Sequence, residues 1–104
     1  MKNIQSESLS QLFRAIALLK TEEEVSAFFE DLCTIKELLD MAQRLEAAKM
    51  LSQGVNYLTI AKEVGISTAT ISRVSKCINY GSGGYEKVLA LLEEAESKTA
   101  SQNA

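Results

Sequence analysis

Apolar residues recur along most of this chain at the spacing of amphipathic α-helices. Four segments carry the i, i+3, i+4, i+7 pattern that places side chains on one helical face. The four stripes are Leu9, Leu12, Phe13 and Ile16; Val25, Phe28, Phe29 and Leu32; Ile35, Leu38, Leu39 and Ala42; and Val88, Leu91, Leu92 and Ala95. Because the pattern indicates no strand, it predicts an all-α fold.

The residues between the stripes predict where the helices begin and end. Thr21–Glu24 and Thr34–Glu37 have the form of a capping box, in which a threonine and a glutamate three residues later satisfy the free amides of a helix start. Gly54 suits the end of the long third helix. The six predicted helices are residues 6–19, 22–32, 35–53, 57–64, 68–79 and 85–96.

Residues 57–79 have the spacing of a helix-turn-helix, with Asn56 as a cap for its first helix. Ala61 is small enough to let a second helix approach closely. Gly65 stands where the chain leaves a helix, a position that usually needs positive φ. The apolar residues expected to fill the space between the two helices are Ile60, Val64, Ile66, Ile71 and Val74.

The second helix of this motif, capped by Ser67 or Thr68, is expected to present a face suited to DNA. Its outer residues are small hydroxyls, an alanine and two cations: Ser67, Thr68, Ala69, Thr70, Ser72, Arg73 and Lys76. Because this face has no carboxylate, short side chains would let it lie deep in the major groove without repelling phosphate. The alternative is an ordinary αα-hairpin, although a merely solvated helix usually carries both signs of charge.

The distribution of charge matters more than the formal net charge of −3. Residues 56–80 contain three basic residues and one acidic residue, whereas residues 20–50 contain four basic and eight acidic residues. The predicted helix-turn-helix is therefore net positive while acidity lies elsewhere. Such weak basicity predicts only modest non-specific affinity for DNA from one copy.

Length and punctuation predict one domain over residues 1–96 and a disordered polar tail over residues 97–104. The sequence contains neither a membrane-length apolar run nor a signal-peptide core, so a cytoplasmic location is expected. It also lacks histidine, a phosphate-binding glycine loop and a metal-ligand cluster, which argues against an enzyme and against a metal cofactor. Cys33 and Cys77 are expected to be free thiols.

The apolar faces of the first three helices and of the last helix exceed what a small helix-turn-helix can cover. A symmetric homodimer would bury them. It would also hold two reading helices about 34 Å apart, which is the separation of successive major grooves on one face of B-DNA. Joining two weak contacts makes the second one effectively intramolecular.

Residues 63–76, EVGISTATISRVSK, resemble the E-L-G-x-x-x-A-T-I-T-R-G-S pattern of the tryptophan repressor. Residues 42–54, AQRLEAAKMLSQG, are a weaker match. Over residues 9–92 the chain resembles the tryptophan-repressor-like family, in particular its YerC/YecD-type branch from Gram-positive bacteria. The resemblance implies a six-helix fold in an interlocked homodimer. It also implies a sequence-specific DNA-binding transcription regulator, a repressor that binds a palindromic operator as a dimer.

The resemblance makes Thr68, Ala69 and Thr70 the groove-facing residues at the start of the recognition helix. The other residues expected to contact DNA are Ser67, Ser72, Arg73, Ser75 and Lys76. Backbone amides at a helix start attract phosphate, and its first turn can reach base edges. Because that turn has no long bidentate side chain, water-mediated contacts and DNA shape are expected to carry much of the specificity.

The family's best-known member holds tryptophan as a corepressor between two arginines, and Arg44 and Arg73 occupy the matching positions here. The repressor pattern has glycine after the second arginine, whereas this chain has Val74, whose branched side chain would occupy space that the indole needs. The alternatives are an ion pair of Arg44 with Asp40 or Glu37 and a phosphate contact for Arg73. No tryptophan cofactor is therefore expected.

Two other hypotheses remain open from the sequence. The first is a protein-interaction module, an adaptor that retains a helix-turn-helix without binding DNA. The second is redox control of DNA binding through Cys77 on the recognition helix, which is based on position alone.

Overall fold

The computed structural model describes residues 2–103, and the side chains of residues 6–99. All regular structure in this part of the chain is helical, which confirms the predicted fold class. The helices are α1 (Lys2–Leu18), α2 (Glu22–Leu32), α3 (Ile35–Ser52), α4 (Tyr57–Ile60), a π-helical turn (Ala61–Gly65), α5 (Thr68–Tyr80) and α6 (Gly84–Asn103). The chain divides into two compact units, one ending at Leu38 and one beginning at Leu39.

Both predicted capping boxes are present in the first unit. Thr21 Oγ1 accepts a hydrogen bond from Glu24 N at 3.1 Å, and Glu24 Oε1 accepts one from Thr21 N at 3.4 Å. Thr34 Oγ1 and Glu37 N are likewise 3.1 Å apart, and Thr34 N donates to Glu37 Oε1 at 2.8 Å. These contacts confirm the predicted starts of α2 and α3.

The second unit contains a small buried core that is shared by α3 and the two helices of the helix-turn-helix. Ala47 and Met50 of α3 pack with Ile60 of α4 and Ile71 of α5. Five partly buried apolar residues surround this cluster: Leu51, Val55, Ala61, Val64 and Ile66. Ile60 and Ile71 are fully buried, and both side chains come from the predicted set. The apolar spacing therefore identified the packed side of the motif correctly.

The first helix of the motif differs from the prediction of one regular helix over residues 57–64. Regular α-helix ends at Ile60, and the chain continues through the wider π-helical turn to Gly65. Gly65 has φ of +80° and Ile66 is extended. Such a conformation favours glycine because a Cβ would crowd the following carbonyl. The predicted reversal at Gly65 is therefore confirmed, although the local helix type was not foreseen.

The last helix is longer than predicted. We expected it to end at Glu96 and a disordered tail to follow, but α6 continues through residue 103, and only residue 104 of the predicted tail lies outside the described range. Thr99 Oγ1 donates to the Ala95 carbonyl at 3.0 Å, and Lys98 Nζ lies 3.3 Å from Glu94 Oε1. The helix continues because no glycine or proline follows Gly84 to end it, and contacts four residues apart support its polar end.

Candidate nucleic-acid interface

The start of α5 is fixed by a side-chain cap. Ser67 has extended backbone angles, φ −74° and ψ 154°, and its hydroxyl accepts a hydrogen bond from Thr70 N at 3.1 Å. The Ser67 carbonyl also accepts the first helical hydrogen bond, from Ile71 N at 3.1 Å. Serine is a preferred residue at this position because its oxygen satisfies an amide that the helix leaves free. The cap orients the first turn of α5, which is the turn that would meet a ligand.

The two sides of α5 have opposite character. Ile71 and Val74 are buried on the side that faces the core. Of the eight residues predicted to contact DNA, six are exposed: Ser67, Thr68, Ala69, Ser72, Arg73 and Lys76. The other two, Thr70 and Ser75, are half-buried. The helix therefore presents most of the predicted set as one accessible surface, which we call the α5 face.

Thr70 has a second role that the sequence did not indicate. Its hydroxyl oxygen lies 3.0 Å from Ser67 Oγ, within hydrogen-bond distance. The side chain therefore takes part in the cap as well as bordering the α5 face. In the described structure, Thr68 and Ala69 take no part in the cap, and both side chains are exposed at the start of α5. The contact of Thr70 with a DNA base stays a prediction.

The charges of the helix-turn-helix are arranged favourably for an anionic ligand. Arg73 and Lys76 are exposed on α5, and this helix carries no acidic residue. Lys62, on the π-helical turn, is a third exposed cation that the predicted site omitted. Lys62 was included in the charge count over residues 56–80. It was left out of the predicted site because that site was drawn from the recognition helix, and Lys62 lies before it. Glu63 is the single carboxylate of this segment.

The turn that presents α5 is joined to α3 by a side chain. Gln43 Nε2 donates to the Val64 carbonyl at 3.4 Å, and Gln43 is half-buried. The acceptor lies at the end of the π-helical turn, where backbone carbonyls lack regular helical partners. Two contacts therefore connect α3 to the helix-turn-helix: this long hydrogen bond, which is polar, and the buried cluster, which is apolar.

The two arginines considered as an effector site are both exposed, Arg44 on α3 and Arg73 on α5. Val74, directly after the second arginine, is buried.

Among the described residues, no three Cys, Asp or Glu side chains are grouped so as to hold a metal ion. Cys33 and Cys77 are free thiols, as expected. Across residues 2–103, no helix has the combined length and apolar character that crossing a membrane requires.

These features define an all-α protein with a helix-turn-helix whose second helix is capped, exposed and free of carboxylates. The family model described as Trp repressor protein matches residues 7–93. The chain therefore belongs to the Trp repressor family.

The relatives agree with this assignment. The uncharacterized protein YerC of Bacillus subtilis (strain 168) is 48% identical over 99 residues, which cover 95% of each chain. A TrpR-like protein from Eubacterium eligens ATCC 27750 has a similar crystal structure, with a TM-score of 0.82, 47% identity and coverage of 89% of this chain and 96% of that one. A candidate Trp repressor from Staphylococcus aureus gives a TM-score of 0.81 at 42% identity, covering 88% of this chain and 92% of that one. The resemblance to the YerC-type branch is thus confirmed, and so is the Trp-repressor-like fold.

Proposed function

We propose that this protein is a sequence-specific DNA-binding transcription regulator that binds a palindromic operator as a homodimer and represses by occluding the promoter. The observation that carries the proposal is the α5 face, a capped helix start with exposed Thr68 and Ala69 and no carboxylate on the helix. A helix start of this kind can lie in the major groove, where its first turn reaches the base edges. Family membership supports a role as a regulator.

The side chains of the α5 face suit both the phosphate backbone and the base edges of duplex DNA. Hydroxyls of Ser67 and Ser72 can bond phosphate oxygens, and Arg73 and Lys76 supply cations beside them. The methyl groups of Thr68 and Ala69 can contact thymine methyls in the groove. Since the phosphate contacts are few, a single copy would bind weakly.

Apolar exposure on the other helices supports a homodimer. Phe13 of α1 is 62% exposed and Ile35 of α3 is 79% exposed. The other large apolar side chains that stay exposed on the helices outside the helix-turn-helix are Leu9, Leu18, Leu32, Leu39, Val88, Leu91 and Leu92. Burying one such side chain fully is worth roughly 1.5–3 kcal/mol, so leaving them all in water forgoes much stabilisation. A second copy would cover these faces and pair two α5 faces for successive major grooves.

The proposal is tested by adding one charge to the α5 face. Thr68→Glu should abolish salt-dependent retention of genomic DNA fragments in a gel, because a carboxylate at the helix tip would face phosphate. Ser97→Glu is the matched control, since Ser97 is exposed on α6 and away from the helix-turn-helix in sequence. The control should bind as the wild type does. Equal retention of the Thr68→Glu variant and the wild type would contradict the proposal.

The exposed side chain of Leu58 on α4 favours a second candidate function, that of an adaptor that docks another protein through the helix-turn-helix. Leu58 is 77% exposed although it belongs to the motif. An adaptor would show no DNA retention at low salt in either the wild type or the Ser97→Glu variant. The same gel therefore separates the two functions.

A further inference from the structure

Position 74 is one of the most enclosed points of the helix-turn-helix. Val74 is 2% exposed and lies one turn after Ile71, on the same side of α5. Ile71 belongs to the buried cluster that also contains Ala47 of α3 and Ile60 of α4. The side chain of Val74 is therefore covered by the protein on the buried side of α5.

This packing does not fit tryptophan held in the manner of the family's corepressor. The charged groups that would flank such a ligand are present, because Arg44 and Arg73 are both exposed. The ring, however, would need open space beside the backbone next to Arg73, which the repressor pattern provides with glycine. Here the side chain of Val74 takes that position and is itself covered by the protein.

Two physical constraints keep the space closed. A valine in a helix is nearly confined to one χ1 rotamer, so its methyl groups cannot turn aside to admit a ring. Shifting α5 to open space beside Val74 would pull Ile71 out of the buried cluster that it shares with Ala47 and Ile60. Native interiors are packed too densely to give way at one residue without loss elsewhere.

We propose that Val74 occupies the space that an aromatic effector would need beside Arg73, so that the protein holds its α5 face in place without tryptophan or a similar planar amino acid. The claim that DNA binding is then independent of effector rests on the proposed function. The claim about the closed space concerns the protein alone and can be tested without DNA.

The chain contains no tryptophan, so added L-tryptophan can be followed by its own fluorescence without background from protein indole. Titrating L-tryptophan with wild-type protein should leave the fluorescence anisotropy of the amino acid unchanged. The Val74→Gly variant restores the glycine of the repressor pattern and should raise the anisotropy with protein concentration. A rise with the wild type would overturn the proposal, and so would no rise with a Val74→Gly variant that is folded by circular dichroism.

A second variant keeps the test decisive should Val74→Gly fail to fold. Val74→Ala removes the two methyl groups while retaining a good helix former, and it should lower the folding equilibrium constant roughly tenfold or more. Leu58→Ala, at a side chain that is 77% exposed, should change that constant by roughly twofold at most. Equal stability of Val74→Ala and Leu58→Ala would overturn the packing role of Val74. None of these measurements uses DNA, so a failure of the proposed function would be recognised separately.

Discussion

Ser67 Oγ lies 3.1 Å from Thr70 N and 3.0 Å from Thr70 Oγ1, so one hydroxyl organises the first turn of α5. This relationship links the stability of the recognition helix to the surface that would meet DNA. It also allows the two contributions to be separated by substitution at a single position.

Ser67→Ala should lower the free energy of unfolding by about 1 kcal/mol, because Thr70 N loses its side-chain acceptor. Ser67→Asp should keep the wild-type stability, since aspartate caps helices well and its charge is favourable at a helix start. It should nevertheless weaken DNA binding by charge repulsion. Chemical denaturation and a gel-retention assay measure the two effects. Equal DNA affinity of Ser67→Asp and the wild type would show that this helix start does not approach phosphate.

Gly65→Ala should destabilise the protein by about 1–2 kcal/mol, because an L-residue is strained at φ +80°. The cause would be the local backbone conformation and not a collision with the rest of the protein, since nothing beyond Gly65's own backbone, chain neighbours and helix lies within 4 Å of an added Cβ. Gly84→Ala is the matched control, with equal free space and no positive φ. Its stability should equal or slightly exceed that of the wild type. Urea unfolding of both variants decides this, and equal midpoints would contradict the explanation.

Phe13→Asp should convert the protein to a monomer in sedimentation equilibrium. We expect this because Phe13 is 62% exposed and belongs to the faces that we assign to the homodimer. Leu58→Asp places the same charge at an exposed leucine of α4 and should leave the dimer intact. If wild-type protein sediments as a monomer, or if both variants remain dimeric, this assignment of the interface is wrong.

Arg73→Gln should reduce the salt dependence of DNA binding. The slope of the logarithm of affinity against the logarithm of salt concentration should fall by about 0.9, which corresponds to one phosphate contact. Lys98→Gln is the control, because this lysine is an exposed cation of α6 that pairs with Glu94. Its slope should match that of the wild type. The same slope for Arg73→Gln would place Arg73 away from phosphate.

Much of the fold could be predicted because its signals are local. The capping boxes at Thr21 and Thr34 depend on residues three positions apart, and Gly65 marks a positive φ. The buried positions of Ile60 and Ile71 follow from helical periodicity. Each of these signals needs no knowledge of distant neighbours.

Other features could not be read from the sequence for physical reasons. The π-helical turn at Ala61–Gly65 spans too few residues for its period to differ detectably from that of an α-helix. The contact between Gln43 and Val64 joins residues 21 positions apart, so no local pattern indicates it. The continuation of α6 past Glu96 was missed because polar composition was taken for disorder, although nothing there breaks a helix.

The sequence predicted which residues form the candidate site better than it predicted the contacts that each of them makes. Periodicity identified the outward side of α5, and exposure of Thr68 and Arg73 agrees with it. The shared hydroxyl contact of Ser67 and Thr70 depends on side-chain rotamers that sequence does not specify. The role of each residue toward DNA stays a prediction.

Selection of bound duplexes from a random DNA library, carried out in parallel with wild-type protein and the Thr68→Glu variant, tests the central claim most directly. We predict that the wild type enriches a two-fold symmetric sequence with half-sites about 10 base pairs apart, or a multiple of that spacing, while the variant enriches nothing. A wild-type pool that cannot be distinguished from the variant pool would contradict the claim that paired α5 faces read DNA.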